Sequence, residues 1–159
     1  MEDIVEKIIE TDYNKLNNAL NNVEYGKLTG LVVYYKDVKY EFLLDIKEGV
    51  EEFICQSSSV LKADDLERFH KRPLYHRFSW KFRQSRVLFN DPTRYVDVDD
   101  DFTKDLHGGW GVGTYNDYFL ENIKDIVLKI TAYYNITNDN ILFYGSNMGG
   151  FTSLMLGPW

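Results

Sequence analysis

Apolar residues at Ile4, Val5, Ile8, Ile9, Tyr13, Leu16 and Leu20 recur at the spacing of one helical face. They predict a helix over residues 2 to 21, ended by the asparagine-rich stretch Asn17 to Asn22. Two β-rich runs follow, Leu28 to Tyr35 and Val38 to Ile46, and the Lys36-Asp37 pair between them predicts a hairpin, although no glycine marks the turn. Phe53-Ile54-Cys55 reads as a short strand that delivers the polar loop Gln56 to Ser59. Residues 62 to 71 read as an exposed helix, and the basic, aromatic segment Arg72 to Gln84 matches neither period. Val87-Leu88-Phe89 is a buried-strand signal closed by Asn90-Asp91-Pro92. The clearest helix carries Tyr118, Phe119, Ile123, Ile126, Val127, Ile130, Tyr133 and Tyr134. Ile141 to Tyr144, apolar throughout, predicts a buried strand that turns through Gly145 to Gly150 into a last helix.

Strands alternating with helices define an α/β class, and uniformly apolar strands predict a mostly parallel sheet with helices on both faces. An N-terminal helix and β-hairpin (1–49) would precede the core (50–159). The 159 residues are enough for one compact unit, and 44% hydrophobic with 16% aromatic residues supply its core. Eighteen Lys and Arg against 25 Asp and Glu give a net charge of −7, which argues against a nucleic-acid binder. The acidic, periodic start and the shortness of the apolar runs predict no signal peptide and no membrane span, hence a cytoplasmic protein. Cys55 is the sole cysteine, so neither a disulfide framework nor a multi-cysteine metal site is expected.

Chemistry concentrates at Gly145-Ser146-Asn147-Met148-Gly149. A strand entering a helix through G-x-x-x-G is the context of the nucleophile elbow, whose flanking glycines make room for a tight turn. Here the central residue is Asn147; Ser146 stands one position early, and in its frame the flanks would be Tyr144 and Met148, which are too large. The competing reading is an ordinary glycine-rich β-to-α turn. A P-loop is excluded, because Gly-Lys-Ser/Thr is missing. Gly109-Trp110-Gly111-Val112-Gly113 lacks the strand and spacing of a dinucleotide loop and reads as a loop over the site, with Trp110 either packing or stacking on a sugar. Asp97, Asp99 and Asp101 begin like a Ca²⁺ loop, but Phe102 and Gly108 stand where glycine and glutamate are needed, so no metal is expected. The basic residues from Arg68 to Arg86 would meet either an anionic polymer or the acidic loop of the same chain.

The order FICQSSS, RFSW, VLFNDPT, DLHGGWGVGT, long helix, FYGSNMGGF resembles the α/β-hydrolase-like proteins of bacterial surface-glycan systems. These are the accessory-Sec acetyltransferase-like proteins and their capsular-polysaccharide biosynthesis relatives, and the resemblance spans residues 50 to 156. It implies an α/β-hydrolase-like fold, incomplete here, and an esterase or acyltransferase ancestry without a cofactor. It places the family nucleophile on Asn147, an oxyanion donor on the backbone N–H of Met148, and a second donor in the Ser57-Ser58 loop. Ser146 and Trp110 would line the substrate. Asn147 is no acyl-transfer nucleophile, and His70, His76 and His107 all precede the elbow, against the family's order of nucleophile, acid and histidine. His107, beside Gly108-Gly109, is the one histidine in a loop able to approach the turn. The expected protein is therefore inactive as an esterase. Three readings stay open: a piece of a larger hydrolase, a non-catalytic subunit binding a glycan, an acylated small molecule or a partner protein, and a different, flavodoxin-like α/β domain. The strands missing after the elbow would leave a sheet edge in need of cover, from self-association or a partner.

Overall fold

The computed structural model describes residues 4–59, 75, 78–94 and 109–158. Its elements in chain order are β1 (Ile8–Asp12), α1 (Leu16–Leu20), β2 (Leu28–Tyr35), β3 (Val38–Asp45), β4 (Phe53–Ser57), β5 (Ser85–Phe89), α2 (Phe119–Tyr133), β6 (Ile141–Tyr144) and α3 (Met148–Leu156). The strands form a single sheet in the order β1-β2-β3-β5-β4-β6. β1 runs parallel to β2, β3 runs antiparallel to both β2 and β5, and β4 runs parallel to β5 and β6. Every strand except β3 therefore points the same way, and the carboxyl ends of five strands share one edge of the sheet. Because β3 pairs with β5, the segments before and after residue 50 share one sheet and one core.

The N-terminal region departs from the expected helix. Residues 8–12 form a strand, and only Leu16–Leu20 is α-helical before the chain turns into β2. Ile9 packs into the main core with Leu31, whereas Ile8 packs on the opposite face with Leu43 and Leu88. Adjacent isoleucines pointing to opposite faces is the period of a strand, and the 4, 5, 8, 9 spacing fits either element. The β-branched pair and the exposed edge of β2, which takes Ile8 against Gly30, decide it.

All three described helices lie on one face of the sheet, over Leu31, Val33, Tyr40, Phe42, Leu44, Phe53, Cys55, Val87 and Phe89. The connections β1-α1-β2 and β5-α2-β6 both advance in the same direction across the sheet, so right-handed crossovers place their helices on the same side. The expectation of helices on both faces is thus not met among the described residues, and the helix expected at 62–71 lies outside them. α2 matches its expected span and buries Phe119, Ile123, Ile126, Val127 and Ile130 along one stripe. Complete burial of such a side chain contributes about 1.5–3 kcal/mol.

Two polar devices hold this core in register. Arg86 on β5, 2% exposed, donates from Nε to Asp45 Oδ2 on β3 at 3.1 Å and from Nη2 to the Phe78 carbonyl at 2.5 Å. Its charge is matched inside the fold by Asp45 of a neighbouring strand, so Arg86 is buried rather than part of an exposed basic surface. Asn122 of α2, fully buried, donates from Nδ2 to the Tyr40 hydroxyl and to Asp117 Oδ2, each at 2.7 Å, while its Oδ1 accepts from Lys36 Nζ at 2.7 Å. That network ties the β2–β3 turn to the start of α2.

The hairpin turns where the sequence places it, with Tyr35 opposite Val38. Lys36 and Asp37 both adopt positive φ, 50° and 61°, as a two-residue type I′ turn requires. A left-handed L-residue costs roughly 1–2 kcal/mol that glycine does not bear. Asp37→Gly should therefore stabilise the protein by about 1 kcal/mol, seen as a rise of roughly 2–4 °C in thermal midpoint. An unchanged or lowered midpoint would show that the turn is not strained.

Candidate functional site

The connections of β4, β5 and β6 mark the candidate site. The chain passes from β4 to β5 on one side, then returns through α2 to β6 on the other side of β4. In open α/β sheets a reversal of this kind places the ligand crevice at the carboxyl ends of the two strands beside it, here β4 and β6. Into it project the Ser57-Ser58-Ser59 loop after β4 and the Gly145-Ser146-Asn147 turn after β6.

The turn from β6 into α3 is as tight as a backbone allows. A Cβ on Gly145 would collide with the backbone of Gly149 one helical turn on. A Cβ on Gly149 would lie 2.8 Å from the Ser58 carbonyl oxygen and 3.1 Å from that of Ser57. Both positions are closed to any side chain, so the two glycines bring β6, the first turn of α3 and the β4 loop into direct contact. Between them Asn147 takes φ 52° and ψ −119°, a region that residues with a Cβ avoid at about 1–3 kcal/mol. Asparagine is among the best helix N-caps, yet its side chain makes no cap hydrogen bond here. It stands exposed, with Nδ2 3.5 Å from the Ser59 hydroxyl.

Ser146 Oγ lies 3.5 Å from the same Ser59 hydroxyl. Met148 is buried, and its backbone N–H lies in the first turn of α3, where helix N–H groups have no intrahelical partner. Ser57 is buried, and its hydroxyl donates to the Ser58 carbonyl at 3.4 Å. The Ser58 hydroxyl reaches the Phe89 carbonyl at 3.2 Å, which fastens this loop to the end of β5. The hydroxyl that faces Asn147 and Ser146 is thus that of Ser59. The sequence shows three serines in a row and gives no means of choosing among them.

A second loop is held against α3. Asp91 accepts the Thr93 backbone N–H on Oδ1 at 3.0 Å and the Gly111 N–H on Oδ2 at 2.9 Å, and Thr93 Oγ1 accepts the Gly113 N–H at 3.0 Å. The Asp91-Pro92-Thr93 segment after β5 therefore clamps the Gly109–Gly113 loop across some twenty residues of chain. Just before the clamped amides, Trp110 adopts φ 57°, is 42% exposed and leans edge-on against Phe151 of α3, with ring centroids 5.3 Å apart. Trp110 is thereby brought to the helix that Asn147 begins. The sequence does not reveal the Trp110–Phe151 contact or the Asp91–Thr93 clamp, because no spacing rule links residues twenty or more positions apart. His70, His76, His107 and the acidic run 97–105 lie outside the described residues. Among those described, no three His, Cys, Asp or Glu gather as a metal site would require, and no helix is long and apolar enough to cross a membrane.

Two outcomes follow from this geometry. Asn147→Gly should raise stability by about 1 kcal/mol in a denaturant titration, because it releases the strained φ, whereas Gly145→Ala should lower it by several times that amount. Equal and small effects of the two would remove the case for strain. Asp91→Ala leaves the Gly111 amide without its acceptor, at about 1–3 kcal/mol, and should shift Trp110 emission to longer wavelength as the loop loosens. Unchanged emission would mean that the clamp does not hold the ring. Comparison with protein-family models, curated proteins and solved structures finds no match to this chain.

Proposed function

We propose that the chain is an α/β-hydrolase-like protein related to the esterases and acyltransferases of surface-polysaccharide biosynthesis, and that it binds an acylated ligand without turning it over. The observation that carries this reading is Asn147: a strained residue, closed in by Gly145 and Gly149, whose side chain is withheld from capping and presented at the crevice. Strain of this kind is kept where a side chain must be held in one place.

Supporting it is the layout around the turn. In an α/β-hydrolase the nucleophile tops the strand, the next residue's N–H helps bind the oxyanion, and a loop from a nearby earlier strand supplies the other donor. Here Met148 follows Asn147, and the loop after β4, the strand next to β6, lies against the same turn. One antiparallel strand early in an otherwise parallel sheet agrees with that fold. A carbonyl oxygen of an ester or acetamide would accept from the Met148 N–H, favoured by the positive end of α3. The Asn147 amide can donate to or accept from such a ligand, but it has no lone pair basic enough to attack one. Trp110 and Phe151 would offer the apolar wall beside it.

The test has two arms. The protein should hydrolyse p-nitrophenyl acetate no faster than buffer, and an O-acetylated oligosaccharide should change its tryptophan emission on titration. Trp110→Ala and Asn147→Ala should each weaken that binding by about tenfold, equivalent to ~1.4 kcal/mol. Turnover above background that Asn147→Ala abolishes would overturn the non-catalytic reading. Absence of any response to acetylated saccharides would overturn the ligand assignment.

A further inference from the structure

The ψ of Asn147, −119°, sets the Met148 backbone nitrogen against the side chain of Asn147 itself. The N and Cβ substituents of an L-residue stand about 120° apart around the Cα–C bond, so this ψ eclipses Cβ with the nitrogen of the next residue. Helical and extended backbones both hold that pair far from eclipse, which is why an asparagine side chain seldom meets the next peptide nitrogen. Here rotation about χ1 alone carries the Asn147 Cγ onto the Met148 nitrogen, where Cγ, Cβ, Cα, C and N close a five-membered ring.

The surroundings leave that path open. The Asn147 side chain is withheld from the helix cap, so it keeps no cap bond that would have to break before it turns. The Met148 N–H occupies the first position of α3, where no intrahelical carbonyl holds it. In a flexible chain the Met148 side chain would crowd the approach, but here it is already turned into the protein, 7% exposed. Asn147 is itself exposed, so water reaches its Cγ.

We propose that Asn147 is a self-modifying residue, converted through a cyclic imide into aspartate or isoaspartate by its own backbone. Solvent base removes the Met148 N–H proton, the nitrogen lone pair forms the bond to Cγ, and the bond from Cγ to Nδ2 breaks. Nδ2 leaves as ammonia with a proton returned by solvent, beside the Ser59 hydroxyl that lies 3.5 Å from it. One water then opens the imide. Attack at Cγ restores the ordinary backbone with aspartate at position 147, whereas attack at the main-chain carbonyl leaves Met148 joined through Cγ as isoaspartate. No electron is exchanged, and the only co-reactant is water. Either product replaces an amide with a carboxylate and adds one negative charge to a chain that carries −7. The step uses the geometry of the turn from β6 into α3 and does not rest on the acylated-ligand reading.

Hydroxylamine tests this, because it captures a cyclic imide as a hydroxamate and reacts far more slowly with an open amide. Wild-type protein is incubated with it in mildly alkaline buffer, folded or unfolded in urea, and the adduct is located by fragment mass spectrometry. Adduct at residue 147 should form at least about tenfold faster in the folded chain, because folding supplies the attack geometry. Asn138 and Asn140 lie in a 3₁₀ turn, whose ψ keeps Cβ and the next nitrogen apart, and should gain nothing from folding. Asn147→Gln keeps the amide but lengthens the ring, and should show no adduct at residue 147. Adduct at Asn147 that forms no faster in the folded chain than in urea, or that persists in Asn147→Gln, overturns the inference. So does an Asn147 that remains an amide through prolonged incubation of the folded wild type without hydroxylamine.

Discussion

Three stretches of backbone meet at one point, and the arrangement of the crevice depends on that meeting. The carbonyls of Ser57 and Ser58 press on the Cα of Gly149, while the Cα of Gly145 presses on the backbone one turn above. At either glycine, even a methyl group would push α3 off β4 and β6. With α3 displaced, Phe151 would no longer meet Trp110, and Asn147 would lose the geometry that presents it. The strain at Asn147 is the conformational consequence of the same crowding, since a turn this short must reverse direction within one residue.

The rest of the crevice is held by polar groups that accept backbone amides. Asp91 and Thr93 together satisfy three N–H groups, two of them on a loop that has little apolar surface to anchor it. A carboxylate accepting amides directs a glycine-rich segment more narrowly than packing could, because hydrogen bonds are directional and hydrophobic contact is not. Asp45 does the same for Arg86 inside the sheet, and Asn122 does so for the hairpin turn, where its amide is used on both ends. These residues connect elements far apart in sequence, and each replaces a contact that the short helices and strands are too small to provide.

Much of the local structure was legible from residue order. The hairpin at Lys36-Asp37, the α2 stripe from Phe119 to Tyr133, the strands after residues 53 and 85, and the turn into α3 all rest on periodicities and on glycine spacing that operate within a few residues. Ile4 to Ile9 misled because four apolar residues at 4, 5, 8 and 9 satisfy both periods, and the available edge of β2 made the choice. Ile141 to Tyr144 misled in another way. An all-apolar strand is read as central, yet its position in the sheet depends on which strands lie beside it, which no local pattern encodes. The basic run ending at Arg86 reads as surface until the partner on β3 is seen.

By itself the sequence determined the α/β class, the turn that only glycines at 145 and 149 permit, and the absence of a hydroxyl or thiol at residue 147, because backbone sterics and side-chain chemistry act at short range. The tertiary structure alone decided that β4 and β6 flank the point where the winding reverses, that Ser59 rather than Ser57 or Ser58 faces Asn147, that Asp91 holds the loop of Trp110, and that β6 is last in the order of the described strands. Each of those is a contact between residues tens of positions apart. Such contacts follow from how the sheet is wound and how its layers close, and the chain carries no local mark of either.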